Sequence, residues 1–265
     1  MNFQEKLEQF KTNLNSPKIT PKFLPIFQLL IKSKTFDIMA DNSELVCNFD
    51  KQVAQSSIIG NQLLINPNQE SPVIWHDLCK LLRIGGNHSR NLNYNILEYD
   101  PDDAIHYNRA MEFDALAHTI KIAWEIKLAG NFEFWDYIIQ RYPTQAVPFK
   151  NLVQTDFRML NNGQGLRLAY DYMYSHSFVV GVDKKAIQHM LANNDYVSNQ
   201  SNKKLDSQFF AKLGETTHGR NYMGHGISIN PLDVAYKMVE NRSNANFLWF
   251  IKFERSFNKN SGAKE

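Results

Sequence analysis

Two short stretches of this chain carry side chains able to do chemistry: His76-Asp77-Leu78-Cys79-Lys80, and Arg109 to Asp114. A zinc-peptidase helix uses His-Glu-x-x-His, in which two imidazoles one helical turn apart bind the metal and the Glu acts as general base. Here Asp77 holds the Glu position and Lys80 holds the second His position. A protonated lysine cannot ligate zinc, so this stretch by itself is a weak metal signal.

The second stretch places a carboxylate within an apolar helical face. Glu112 shares that face with Ile105, Leu116 and Ile120. A carboxylate among apolar side chains is costly unless it is paired or bound to a metal ion. A buried ion pair is the ordinary explanation for such a residue, and a metal ligand is the functional one.

Composition limits the class of protein. The 265 residues are 43% hydrophobic, with only 12 Gly and 9 Pro, which favours one large and mainly helical domain. The formal net charge is +2, from 29 Lys and Arg against 27 Asp and Glu, and argues against a nucleic-acid partner.

Two cysteines, Cys47 and Cys79, exclude a thiolate zinc finger or a disulfide framework. The N-terminus lacks the basic-then-apolar order of a signal peptide, and the longest apolar stretch, 23–31, is too short to span a bilayer. We therefore expect a cytoplasmic protein, and signal-independent secretion would leave no trace in these residues.

Local signals predict the elements that must position the two stretches. Short apolar runs between 44 and 65, with Gly60-Asn61 as a turn, predict a small hairpin or three-stranded sheet. A helix is predicted from Ser71 to Ile84, ended by Gly85-Gly86. Asp100-Pro101 predicts a capped helix that runs to about Ala129 and stops at Gly130. Further helices are predicted at 1–15, 131–141, 147–160, 164–177, 183–192 and 231–240, with a loop at 193–206 and a frayed tail after 255.

These elements suggest three parts of the chain. Residues 1–40 are expected to form a helical extension packed on the core, and residues 41–240 the main domain. Residues 241–265 are expected to form a C-terminal segment with a flexible tail.

The order of these motifs resembles a bacterial family of zinc metallopeptidases known mainly as a domain of unknown function. Its pattern has Leu-Asn-Pro before the His-Glu-x-x-His helix, matched by Ile65-Asn66-Pro67, and a later Arg-x-x-Glu-x-Asp-Ala helix, matched from Arg109. The segments 163–171 and 219–223 also resemble family motifs. The resemblance implies an α+β, mainly helical, zincin-like fold with a small sheet before the zinc-type helix. It also implies that Glu112 matches the third zinc ligand.

Of the family's site, only His76 and Glu112 remain, which is too few for a catalytic zinc site with three protein ligands. The interpretation is a retained fold with a lost active site, in which a Lys80–Glu112 ion pair fills the old metal position. Arg109 and Asp114 are then structural supports. The expected function is that of an inactive metallopeptidase homologue, without a cofactor, that binds a protein partner, with 87–99 and 193–230 as candidate contact loops.

The alternative is a metal-dependent hydrolase, a peptidase, with a changed ligand set. His76, Cys79 and Glu112 would bind zinc, and Asp77 would be the general base. A distant imidazole would complete the set, from His88, His106 or His118. The ordinary role of Cys79, however, is that of a small buried hydrophobic residue.

Overall fold

The computed structural model describes residues 24–43, 45–89, 92, 95–198, 203–216, 221–224, 233 and 238–261. The helix predicted at 1–15 lies outside these residues, as do most of the helix predicted at 231–240 and parts of both candidate contact loops, 87–99 and 193–230.

The described part of the chain is mainly helical with one small sheet, which confirms the predicted fold class. The strands are β1 (Val46–Phe49), β2 (Ser57–Ile59) and β3 (Gln62–Ile65). The helices before the centre of the chain are α1 (Leu24–Leu30), α2 (Lys34–Asp41), α3 (Ser71–Ser89) and α4 (Pro101–Leu128). Those after it are α5 (Glu133–Arg141), α6 (Pro143–Thr155), α7 (Gln164–Tyr172), α8 (His176–Leu191), α9 (Asn194–Ser198), α10 (Ser207–Leu213) and α11 (Arg242–Ser261).

The sheet has the strand order β1-β3-β2. The strands β2 and β3 form the predicted antiparallel hairpin, with Ile58 opposite Leu63, and Gly60 takes a positive φ of 60° in its turn. The strand β1 runs parallel to β3, with Cys47 opposite Leu63. Cys47, Leu63 and Ile65 are buried, so the sheet covers one side of the helical core just before α3 begins.

The long helix α4 is the centre of the molecule. Asp100 caps it by accepting a hydrogen bond from the Asp103 N–H at 3.1 Å, and Gly130 follows its end with a φ of 93°. Both termini agree with the prediction. The helix is buried on almost every side, because α2, α3, α5, α7 and α8 all pack against it.

Tertiary packing overrides the predicted end of α3. The helix does not stop at Gly85-Gly86 but continues to Ser89. A Cβ atom on Gly85 would overlap Leu45 Cδ1, whereas a Cβ atom on Gly86 would meet nothing within 4 Å. Gly85 therefore permits close packing of the helix beside the sheet rather than ending the helix.

Several other boundaries differ from the prediction. The helix α6 starts four residues early, at Pro143, because proline suits the first turn of a helix. The predicted helix at 164–177 is split between α7 and α8, and α8 runs back to His176. The predicted loop at 193–206 contains α9, and α11 extends past residue 255 to Ser261.

The two ends of the described chain pack on this core. The helices α1 and α2 contact α3 and α4, and α11 contacts α8 and α9. Among the described residues, no helix is both long enough and apolar enough to cross a bilayer.

The neighbouring glycines of α3 give a matched test of the packing. We expect Gly85→Ala to lower the free energy of unfolding by about 1–2 kcal/mol, because the added methyl group overlaps Leu45. We expect Gly86→Ala to raise it by about 0.5–1 kcal/mol, because alanine favours a helix and space is open there. Urea unfolding measures both, and equal effects of the two substitutions would contradict the close approach.

Candidate functional site

The crossing of α3 and α4 brings Lys80 and Glu112 together. Lys80 Nζ lies 2.5 Å from Glu112 Oε2, and about a fifth of each side chain is exposed, 22% and 20%. Burial lowers the pKa of Lys80, but the adjacent Glu112 carboxylate outweighs it, so the pKa is raised. Burial likewise raises the pKa of Glu112, and the Lys80 ammonium outweighs it, so this pKa is lowered. Both groups are thus held in their charged forms, as in an ion pair.

Both ring nitrogens of His76 are engaged. Nδ1 lies 3.0 Å from Asp77 Oδ1, and Nε2 lies 2.9 Å from the Tyr142 hydroxyl. A proton on Nδ1 satisfies both contacts, since Nδ1 then donates to the carboxylate and Nε2 accepts from the hydroxyl. Burial lowers the pKa of His76, although its hydrogen bond to Asp77 opposes the shift. The neutral ring also stacks on Tyr142, with centroids 5.6 Å apart.

Cys79 lies in the hydrophobic core, with no exposed surface. Burial raises the pKa of its thiol well above the ordinary value, which favours the protonated form. A thiol must lose its proton to bind zinc, so this environment opposes a ligand role.

A cavity of about 260 Å³ lies over the ion pair. Its polar lining includes Lys80, Glu112, Arg141, Tyr142 and Lys185, contributed by α3, α4, α8 and the junction of α5 with α6. Sequence reasoning missed Arg141, Tyr142 and Lys185. No local motif marks them, because only the packing of separate helices brings them to the site.

Asp114 lies at the centre of a second, fully buried polar network. Arg83 binds its carboxylate through Nε at 2.7 Å and Nη2 at 3.0 Å, and the Tyr222 hydroxyl donates to it at 2.9 Å. Burial raises the pKa of Asp114, but the Arg83 guanidinium outweighs it and holds the pKa well below its usual range. This network joins α3 and α4 to the segment around Tyr222.

Arg109 forms a separate buried ion pair. Its Nε and Nη2 atoms each lie 2.7 Å from the Asp183 carboxylate, and Nη2 also donates to the Met238 carbonyl at 3.0 Å. This fork-shaped contact fixes α8 against α4.

The other histidines considered as ligands lie in different surroundings. His118 donates from Nδ1 to the Asp114 carbonyl oxygen at 2.9 Å, and burial lowers its pKa to about 4. His106 has no exposed surface and packs on Phe210, with ring centroids 5.4 Å apart. The side chain of His88 lies outside the described residues.

Together these groups do not fit a zinc site. Lys80 offers a cation where a ligand is needed, Glu112 is engaged by it, and both nitrogens of His76 have partners. In the part of the chain that the structure describes, no three His, Cys, Asp or Glu side chains form a group suited to a metal ion.

The family described as "Putative metallopeptidase family (DUF6782)" matches residues 64–223. This span is more than half of the chain, begins within β3, and contains α3, α4, the ion pair and the cavity. The chain belongs to this metallopeptidase family, as the ordered motifs predicted. No curated protein and no solved structure matches the chain.

The ion pair predicts an asymmetry between single and double substitutions. We expect Lys80→Met to lower the free energy of unfolding by about 3 kcal/mol, because it leaves the Glu112 carboxylate buried and unpaired. The double variant K80M/E112Q should recover most of this loss, because neither charge then remains. Urea unfolding of the wild type, both single variants and the double variant measures the coupling.

The pH dependence of the Lys80→Met effect follows from the same pair. In the wild type the pKa of Glu112 is lowered, so its contribution is present above the unfolded-state pKa and lost as pH falls through the folded-state value. Without Lys80, burial raises that pKa, and stability is lost as pH rises through it. The loss in free energy of unfolding caused by Lys80→Met should therefore be larger at about pH 7 than at about pH 5. An equal loss at both pH values would show that Lys80 does not control the ionisation of Glu112.

Proposed function

We propose that this chain is a non-catalytic member of the metallopeptidase family that acts by binding a protein partner. The single observation that carries the first half is the Lys80–Glu112 ion pair, 2.5 Å long, at the positions where the family motif has two metal ligands. The pair replaces the charge of a divalent cation with that of an ammonium group on the protein itself.

Catalysis by zinc needs three protein ligands and an open position for water or substrate. Two of the four motif positions have changed chemistry, because Asp77 is shorter than Glu and Lys80 is a cation. Asp77 is also engaged by His76, at 3.0 Å, and is not positioned to take a proton from a water molecule over Glu112. Loss of the metal and loss of the general base therefore go together in this proposal.

The alternative hydrolase would require several contacts to break. Cys79 would have to leave the core and ionise, Glu112 would have to exchange Lys80 for zinc, and His76 would have to give up one hydrogen bond. These combined costs favour the non-catalytic function.

The exposed aromatic face of α11 supports the binding half of the proposal. This face consists of Phe247, Trp249, Phe250, Phe253 and Phe257, which are 47–64% exposed. The opposite side of the helix buries Leu248 and Ile251 against α8 and α9. Trp249 and Phe253 stack at 5.4 Å, so the face is ordered as a continuous apolar strip.

An exposed apolar strip of this kind is typical of protein contact surfaces, which supports the proposal of a protein partner. A groove of about 540 Å³ lies beside it, lined by Leu191, Asn246, Phe247, Trp249 and Phe250. The groove and strip suit an amphipathic helix of another protein, whose apolar side chains would cover the aromatic rings. We include a cytoplasmic location in the proposal, since both cysteines are unpaired thiols.

Restoring the His-Glu-x-x-His motif tests the part of the proposal that says the protein is non-catalytic. We expect the wild type to retain no stoichiometric zinc, and the double variant D77E/K80H to bind about one zinc per chain through His76, the new histidine and Glu112. Elemental mass spectrometry of protein purified without chelator or a His-tag gives the stoichiometry. Zinc should also raise the melting temperature of D77E/K80H.

The matched control is D77E/K80H/E112Q, which lacks the third ligand and should bind no zinc. About one zinc per wild-type chain, lost on both His76→Ala and Glu112→Ala, would instead establish the hydrolase with an altered ligand set. Failure of D77E/K80H to gain zinc would contradict the assignment of these positions to the old metal site.

Photo-crosslinking tests the binding half. A photo-reactive residue at Trp249 should give one discrete adduct with another protein in the cells that make this chain, because the aromatic strip is the proposed contact. The same probe at Gln154, which is exposed on α6, is the control and should not give that adduct. Adding Phe253→Gln should reduce the yield at least tenfold, while the free energy of unfolding stays within about 0.5 kcal/mol.

Adducts with a second copy of this chain alone would show that the face mediates self-association and would contradict a separate partner. The same adduct from both probe positions would show non-specific contact.

A further inference from the structure

The cavity over the ion pair carries more positive than negative charge. Lys80, Arg141 and Lys185 line it with three cations, and Glu112 is the one carboxylate in its lining. Among the described residues, neither Arg141 nor Lys185 lies within 4 Å of a carboxylate. Asp77 does not line the cavity, and its carboxylate is hydrogen-bonded to His76. The lining therefore has a formal charge of +2.

The start of α8 adds to this field. Ser177 and Phe178, in its first turn, line the cavity, and the Ser175 side chain makes no capping hydrogen bond there. The N-terminus of a helix of this length carries partial positive charge and unpaired N–H groups. The Ser177 hydroxyl supplies a further hydrogen-bond donor beside the lysines.

Arg141 is oriented by the residues of the old metal site. Its Nε atom donates to the Tyr142 hydroxyl at 3.1 Å, and that hydroxyl in turn donates to His76 Nε2 at 2.9 Å. This chain of contacts holds the base of the guanidinium and leaves its two terminal amino groups to donate to a ligand. His76 is thus used as a support for a cation rather than as a metal ligand.

We propose that this cavity binds a phosphate group, either as free phosphate or as a small phosphate monoester. A monoester carries about −1.5 to −2 charge at neutral pH, which balances the +2 lining, whereas a single carboxylate would leave one positive charge uncompensated. The cavity, about 260 Å³, is large enough for a phosphate and a few carbon atoms.

This binding site goes beyond the proposed function. It depends on one part of that proposal, namely that the Lys80–Glu112 ion pair holds no metal ion. The α11 surface plays no part in it. A failure of partner binding therefore leaves the phosphate site standing, and the test below is done in chelator so that no metal ion can bridge phosphate to the protein.

Calorimetric titration with inorganic phosphate and with glycerol 3-phosphate, at fixed ionic strength in chelator, tests the site. Arg141→Gln and Lys185→Gln should each weaken phosphate binding by about tenfold or more, because each removes a charge-assisted hydrogen bond. Both side chains project from exposed positions, so the variants keep the fold, which circular dichroism checks. Lys184→Gln is the matched control, since Lys184 is the exposed neighbour that does not line the cavity, and it should change the Kd less than twofold.

Tighter binding of glycerol 3-phosphate than of phosphate would identify a monoester as the ligand, and equal binding would identify the free ion. Absence of phosphate binding by the wild type would overturn the proposal. An equal loss in Lys184→Gln and Lys185→Gln would overturn it too, because only general surface charge would then be involved. Acetate binding as tight as that of phosphate would contradict the proposal, because the cavity would then not distinguish a phosphate from a carboxylate.

Discussion

The burial of α4 on almost every side is the constraint on which the rest of the structure depends. A helix in this position cannot leave a charged side chain unpaired, because the neighbouring helices exclude the water that would solvate it. Three charged residues on α4 each form an ion pair with a neighbouring helix. The pairs are Glu112 with Lys80, Asp114 with Arg83, and Arg109 with Asp183. These pairs fix both α3 and α8 against the central helix.

The same rule holds at the C-terminal half of α4. Glu125 accepts hydrogen bonds from the Ser33 and Thr35 hydroxyls, at 2.6 and 2.7 Å, and Lys121 lies 3.6 Å from it. These contacts fix the start of α2 on α4. The N-terminal helices of the described chain are therefore attached by the same kind of interaction that organises the candidate site.

This constraint is consistent with the proposal that a member of the family can fold without a metal ion at this position. Glu112 needs a cation nearby whether or not the protein is an enzyme, and a single lysine ammonium is sufficient to balance its one negative charge. Lys80 supplies the cation in this structure, at the position that the resemblance matches to the second histidine of the His-Glu-x-x-His helix. Under the proposed function, the Lys80–Glu112 pair contributes to stability rather than to catalysis.

Sequence patterns predicted those features that neighbouring residues determine. The cap at Asp100, the stop at Gly130 and the turn at Gly60 depend on local backbone chemistry, and the structure has all three. The predicted end of α3 was wrong, because the role of Gly85 depends on its contact with Leu45, a residue forty positions earlier. The sequence did not predict Arg141, Tyr142 and Lys185 as site residues for the same reason. Only the packing of α5, α6 and α8 brings them together.

The helix α8 connects the two proposed surfaces. Ser177 and Lys185 of this helix line the proposed phosphate cavity, and Leu191 at its end lines the groove beside α11. Coupling between the two ligands would require α8 to have two positions that each ligand favours differently. The buried Arg109–Asp183 pair fixes α8 to α4 beside the cavity-lining residues. The proposed ligand in the cavity and the proposed partner on α11 would therefore contact the same helix, which this buried ion pair holds against the centre of the molecule.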